Sequence, residues 1–179
     1  MKEISLNILD VTKNSVRAGA TKIGIDLLTD EQGMLVLTIT DNGCGMDEEM
    51  VRNVTDPFCT TRTTRKVGLG LPLLKMAAEQ TGGGLSIVSS TEKGKSGTEL
   101  RAVFDTKSID CMPMGDIVST VCILIAGNPE IDFVFSDKTA KRSVFLNTAE
   151  LRDVLGDVSL AEPEVQSWIS EYLKEQYIQ

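Results

Sequence analysis

The stretch best suited to chemistry is Asp41-Asn42-Gly43-Cys44-Gly45-Met46-Asp47, an acid followed by two glycines two residues apart. A carboxylate here can accept from an exocyclic amine such as that of adenine, and the glycines permit positive φ and close approach of backbone to a ligand. The same residues also read as a tight turn after an edge strand. A second candidate is Gly68-Leu69-Gly70-Leu71-Pro72, which feeds a helix. Glycines at a helix start, with free N–H groups and the positive end of the dipole, suit a phosphate. The preceding loop, Cys59 to Val67, holds four threonines and the cations Arg62, Arg65 and Lys66. A third candidate is the pair Asp10 and Asn14, which are four residues apart and project from one helix face. Together with Asn7 and Arg17 they form a polar stripe, which also reads as a solvated surface.

The elements that must hold these residues are legible from periodicity. Ile4, Ile8, Val11 and Ala18 give an apolar face to a helix over residues 3–18, stopped by Gly19. Ile23, Ile25 and Leu27 alternate, as do Leu35, Leu37 and Ile39, predicting a hairpin around Asp30 to Gly33. A short helix follows from Asp47. Leu71, Leu74, Ala77 and Ala78 mark the helix after the glycines, with Pro72 in its first turn. Residues 85–90 and 98–105 read as two more strands, giving a four-stranded sheet with helices on one face.

The 179 residues make one full domain, or one with a small extension. Net charge is −8, which disfavours a nucleic-acid partner, since such binding depends on neutralising phosphates. There is no long apolar run for a membrane span and no export signal, so a cytoplasmic location is expected and no membrane partner. The chain has no histidine, so neither a Cys/His zinc site nor a histidine base or phosphoacceptor exists within it. Cys44, Cys59, Cys111 and Cys122 form no C-x-x-C pair and read as reduced thiols, with Cys44 and Cys59 flanking the proposed pocket as a weaker redox pair.

Taken together, the helix with Asp10 and Asn14, then DNGCGMD, then DPFCTTRTTRKVGLGL, then Gly97-Thr98, resemble in order the motifs of the GHKL (Bergerat-fold) ATP-binding superfamily. The resemblance spans roughly residues 1–106. The middle stretch is most similar to the histidine kinase catalytic domain, whereas NSVRAGAT after Asp10 looks more like the MutL type. It implies an α+β fold, a two-layer α/β sandwich, with ATP and Mg²⁺ as cofactors. Asn14 would ligate Mg²⁺, and Asp41 would accept from the adenine amine with help from Thr98 through water. Gly43, Gly45 and Met46 would line the nucleotide, and residues 59–67 would form a lid with Arg62 or Lys66 near the γ-phosphate. Gly68, Leu69, Gly70 and Leu71 would meet the phosphates. At the position of Asp10 the hydrolysing and serine-kinase branches carry a glutamate base; the shorter aspartate leaves a base role and a structural role both open.

A sensor histidine kinase places its phosphoacceptor histidine on a helical segment before this domain, and no histidine is present here. The expected protein is therefore a free-standing module that phosphorylates or switches a partner in trans. A slow ATPase with lid-driven association and a non-catalytic nucleotide sensor are the alternatives. Residues 107–179 lie beyond the resemblance and read as a small α/β extension packed on the first domain. They would comprise a buried helix from Gly115 to Gly127, strands at 131–136 and 142–146, a helix capped by Thr148, and a terminal helix around Trp168. This extension is either structural or a docking surface, and a homodimer is left open.

Overall fold

The computed structural model describes residues 3–55 and 70–178. Of the residues expected to touch ligand, Arg62, Lys66, Gly68 and Leu69 fall outside that range, as does Cys59.

Helix α1 (Ile4–Arg17) buries Ile4, Ile8, Val11, Thr12 and Ser15 on one face. It ends where Gly19, at φ 73°, turns the chain and donates its N–H to the Val16 carbonyl. β1 (Lys22–Thr29) and β2 (Met34–Asp41) pair antiparallel, and Asp30 closes their turn by accepting from the Met34 N–H at 2.8 Å. Asp47 caps α2 (Glu48–Asn53) through the Met50 N–H. α3 (Gly70–Gln80) leads to β3 (Gly84–Ser90) and β4 (Gly97–Asp105). The chain then adds α4 (Ile117–Gly127), β5 (Asp132–Lys138), β6 (Ser143–Asn147), α5 (Thr148–Leu155) and α6 (Pro163–Ile178).

These strands form one six-stranded sheet in the order β3-β4-β2-β1-β5-β6. The four strands expected from sequence are its first four. The other two come from residues 107–179, because β5 pairs parallel with the otherwise open edge of β1. Its alternating Phe133 and Phe135 continue the buried rows of the sheet. One such row runs Ile87, Leu100, Ile39, Ile25, Phe135, Leu146 across all six strands. Odd positions of β1, β2 and β5 and even positions of β4 and β6 carry the buried apolar side chains, while their neighbours remain partly exposed except Ser136 of β5, which is buried too. Helices α3, α1, α4 and α6 lie side by side, each touching the next or sharing strands with it. The expected two-layer α+β architecture is therefore the observed one.

Two local expectations change. Asn7, placed in the polar stripe of α1, is 1% exposed; its amide donates to the Glu3 carbonyl and its Oδ1 has no partner among the described residues. The helix beneath it packs against the 112–114 segment, whose Pro113 and Met114 carbonyls accept from Ile4 and Ser5 N–H, and this removes that end of the stripe from water. Thr148 is the first residue of α5, not its cap. Asn147 caps by accepting from the Ala149 N–H, while the buried Thr148 hydroxyl accepts from the Phe133 N–H at 2.8 Å.

The free edge of β6 is closed by a side chain. Gln176 of α6 accepts from the Phe145 N–H at 2.9 Å and donates to its carbonyl at 3.1 Å, as a neighbouring strand would.

Candidate functional site

Because side chains alternate along a strand, Leu35, Leu37, Ile39 and Asp41 all face the helices. Asp41 thus ends a buried row with a half-buried carboxylate. The register places Thr98 beside Asp41 and Ser89 beside Thr98, on the same face of three adjacent strands. A row that is hydrocarbon through the sheet ends, at this pole, in hydroxyls and one acid.

Each group in the row is held. Ser15 of α1 donates to Asp41 Oδ2 at 2.6 Å, and the Gly43 N–H donates to Oδ1 at 2.9 Å. No cation pairs with this carboxylate among the described residues. Ser89 Oγ accepts from the Met46 N–H at 2.8 Å, donates to the Gly97 carbonyl at 2.9 Å, and lies 2.8 Å from Thr98 Oγ1. Asn42 turns away from the row and accepts from the Thr21 and Lys22 N–H groups, pinning the loop to the start of β1.

The glycines are required by space. Gly45 is at φ 71°, and a Cβ there would run into the Ser90 carbonyl; one on Gly97 would run into the Asp41 carbonyl. The Asp41–Met46 loop and the start of β4 therefore lie backbone against backbone, which fixes the floor beneath the Asp41 carboxylate.

Asp10 and Asn14 stand on α1 above this floor. Asp10 is exposed beside the start of α3, with its Oδ2 3.5 Å from where a Gly70 Cβ would be. Asn14 is half-buried, and its Oδ1 accepts a long 3.4 Å contact from Arg17. Gly70 and Leu71 are buried in the first turn of α3. Among the described residues no three His, Cys, Asp or Glu side chains cluster as a metal cage would. Cys44 is exposed at the loop. The structure thus brings Asp41, Gly43, Gly45, Met46 and Thr98 into one constellation, with Asp10, Asn14 and Gly70 on the helices over it.

Ser15 and Ser89 were missed from sequence. A signal existed for both. Ile8, Val11, Thr12 and Ser15 share one helix face, so Ser15 is a hydroxyl at a core position. Ser89 has the same strand parity as Leu85 and Ile87. A polar residue on an apolar row asks for a buried partner.

At the opposite pole, β5 carries Asp137, which is 5% exposed. It accepts from Arg142 at 3.1 Å and from the Tyr177 hydroxyl at 2.7 Å, and Arg142 stacks over the Tyr177 ring at 4.6 Å. Burial, then the Asp137 hydrogen bond and charge, push the Tyr177 phenol well above its ordinary value. A cleft of about 540 Å³ lies there, lined by Asp116, Asp137, Arg142, Lys174 and Tyr177 among others.

The family described as histidine kinase-, DNA gyrase B-, and HSP90-like ATPase matches residues 2–108. The tetrathionate sensor histidine kinase TtrS of Salmonella typhimurium is 34% identical over 92 residues, covering 51% of this chain and 15% of that protein. The DNA mismatch repair protein MutL of Bartonella tribocorum is 22% identical over 176 residues, covering 91% of this chain and 26% of that protein. Among solved structures, the MutL ATPase domain of Aquifex aeolicus complexed with ADP is similar in fold, with a TM-score of 0.52 at 14% identity over 87% of this chain and 69% of that one. The chain spans only 15% to 26% of the length of these curated relatives. No helix among the described residues is long and apolar enough to cross a membrane.

Proposed function

The chain belongs to the family of histidine kinase-, DNA gyrase B-, and HSP90-like ATPases, and on that premise we propose that it is a cytoplasmic ATP- and Mg²⁺-binding regulatory module that phosphorylates or switches a partner protein in trans. The observation that carries the reading is the Asp41 carboxylate. It is held by two neutral donors, Ser15 and the Gly43 N–H, and has no cation partner among the described residues. An acid fixed in this way keeps lone pairs for a donor on the ligand, and the adenine amine is such a donor.

The other groups divide the nucleotide between them. Thr98 supports the base beside Asp41, and Gly43, Gly45 and Met46 form the wall that the backbone closes against it. Gly70 and Leu71, in the first turn of α3, would present N–H groups to the phosphates; Gly68, Leu69, Arg62 and Lys66, outside the described residues, are assigned to the phosphates from the sequence alone. Asn14 has the donor chemistry for Mg²⁺, since among the described residues its amide oxygen receives only the long Arg17 contact. Magnesium bound there would offset phosphate charge. Asp10, exposed and next to Gly70, would hold a water or an acceptor hydroxyl. Residues 1–106 carry these groups, and residues 107–179 serve as an extension that stiffens the sheet behind them.

A second reading, a slow ATPase whose lid closure drives association, is favoured by one observation. The sequence match to the mismatch repair protein MutL of Bartonella tribocorum covers 91% of the chain, whereas the sensor-kinase match covers 51%. Incubation with γ-labelled ATP separates the readings. Label on a protein of an added cell extract supports the kinase, free phosphate without extract supports the ATPase, and ATP bound but unconsumed leaves a sensor. ATP affinity that survives Asp41→Ala would sink the pocket itself.

A further inference from the structure

We infer that Ser89 sets the base specificity of this pocket by fixing the direction of the Thr98 hydroxyl, an inference that rests on the nucleotide reading above. Ser89 Oγ has three neighbours within hydrogen-bond distance: the Met46 N–H at 2.8 Å, the Gly97 carbonyl at 2.9 Å and Thr98 Oγ1 at 2.8 Å. The Met46 N–H can only donate, and the Gly97 carbonyl can only accept. Ser89 has one proton, and a serine hydroxyl accepts twice. All three contacts are satisfied in one arrangement: Ser89 donates to Gly97 and accepts from Met46 and from Thr98.

Thr98 has then spent its only proton on Ser89, and what it presents to the pocket is lone pairs. Asp41, its neighbour across the strand pair, is in the same condition, since both its oxygens accept from protein donors and it has none to give. The floor is therefore acceptor-only over two adjacent strands. A 6-amino purine offers it a donor. At that exocyclic position a 6-oxo purine offers a carbonyl oxygen, which faces lone pairs on both sides, directly or through a water held by Thr98; its N1–H is a donor one ring atom removed from the position the floor serves. Leaving buried polar groups unpaired is the effective way for a site to reject a near-isostere. Ser89 need not touch the base; it is a positioning residue for Thr98.

The test compares ATP with inosine triphosphate, which carries a carbonyl in place of the 6-amino group and a proton on N1, on the full chain. Dissociation constants are measured for the unaltered protein, Ser89→Ala and Ser89→Thr. Ser89→Ala frees the Thr98 proton to turn toward a carbonyl, so the preference for ATP should narrow about tenfold, chiefly through tighter inosine nucleotide binding. Ser89→Thr keeps the hydroxyl and should restore the preference. A ratio unchanged in Ser89→Ala, or two affinities that fall together with the ratio intact, overturns the inference. Thr98→Val reads the same question with the Ser89 bonds to Met46 and Gly97 left in place. It should weaken ATP and spare the inosine nucleotide, and equal loss of both overturns the inference. An unaltered protein that binds neither nucleotide overturns the nucleotide reading beneath it, a result distinct from a preference that Ser89 does not control.

Discussion

Two acids stand near the C-terminal ends of inner-face rows in this sheet, Asp41 on β2 and Asp137 on β5. Since β2 runs against β1 and β5 runs with it, the two lie at opposite poles. Asp137 is buried and met on Oδ2 by a guanidinium and a phenol, so its charge is balanced within the protein. Asp41 is half-buried and, among the described residues, met only by a serine hydroxyl and a backbone N–H. An acid with a counter-ion is part of the scaffold. An acid held rigid by neutral donors keeps its charge available for something outside the chain. The same residue type in equivalent sheet positions is thus paired with a cation at one pole and, among the described residues, left without one at the other.

The sharpest way to break this comparison is to remove both acids in turn. Asp137→Ala should cost about 3 kcal/mol of stability, because Arg142 and Tyr177 lose the charge they were built around. Its ATP affinity, measured while folded, should be unchanged. Asp41→Ala should do the reverse, lowering ATP affinity about a hundredfold with little change in the urea midpoint. If both variants lost stability and neither lost affinity, the two poles would be alike.

Alkaline pH should separate the poles next. The folded state holds the Tyr177 phenol above the ordinary 10.0, so the folded chain keeps a proton the unfolded chain releases. The stability linked to this group is complete below pH about 10 and is lost as pH rises beyond it. Phenolate absorbance from Tyr177 should appear only as the protein unfolds, and Tyr177→Phe should flatten the alkaline fall in stability. An early phenolate signal missing from Tyr177→Phe would show that the Asp137 pole is open to solvent. Ser15→Ala tests the receptive pole more gently. It removes one of the two donors on Asp41 and should weaken ATP about five- to tenfold with under about 1 kcal/mol lost in stability. Gln176→Ala, touching neither acid, should have the smallest effect. About 0.5–1 kcal/mol is expected, together with concentration-dependent self-association in light scattering once the β6 edge is bare.

Much of the receptive pole was legible because its residues are types that a plain fold does not ask for. An aspartate closing the alternation Leu35, Leu37, Ile39, glycines at Gly43 and Gly45, and a helix carrying Asp10 and Asn14 are each locally odd. Ser15 and Ser89 escaped because a single serine is unremarkable until the register sets it beside Asp41 or Thr98. The Asp137 network was invisible for a stronger reason. Its three members, Asp137, Arg142 and Tyr177, come from a strand, a turn and a distant helix, and no spacing in the chain relates the last to the first two. The six-stranded sheet was missed likewise: periodicity identifies β5 and β6 as strands but says nothing about which open edge they join.

That joining has a consequence for how the molecule is made. β1 lies inside the sheet, and one of its flanks is covered by a segment far along the chain, so that the Ser136 hydroxyl meets Asp26 across 110 residues. The hairpins β1–β2 and β3–β4 can form from nearby chain, while the parallel pairing must wait for α4 to cross over. At a synthesis rate of about 5–20 residues per second, the open flank of β1 waits on the order of ten seconds for its partner to leave the ribosome. For that interval the half of the chain that holds Asp41 is an unfinished sheet with an unpaired edge.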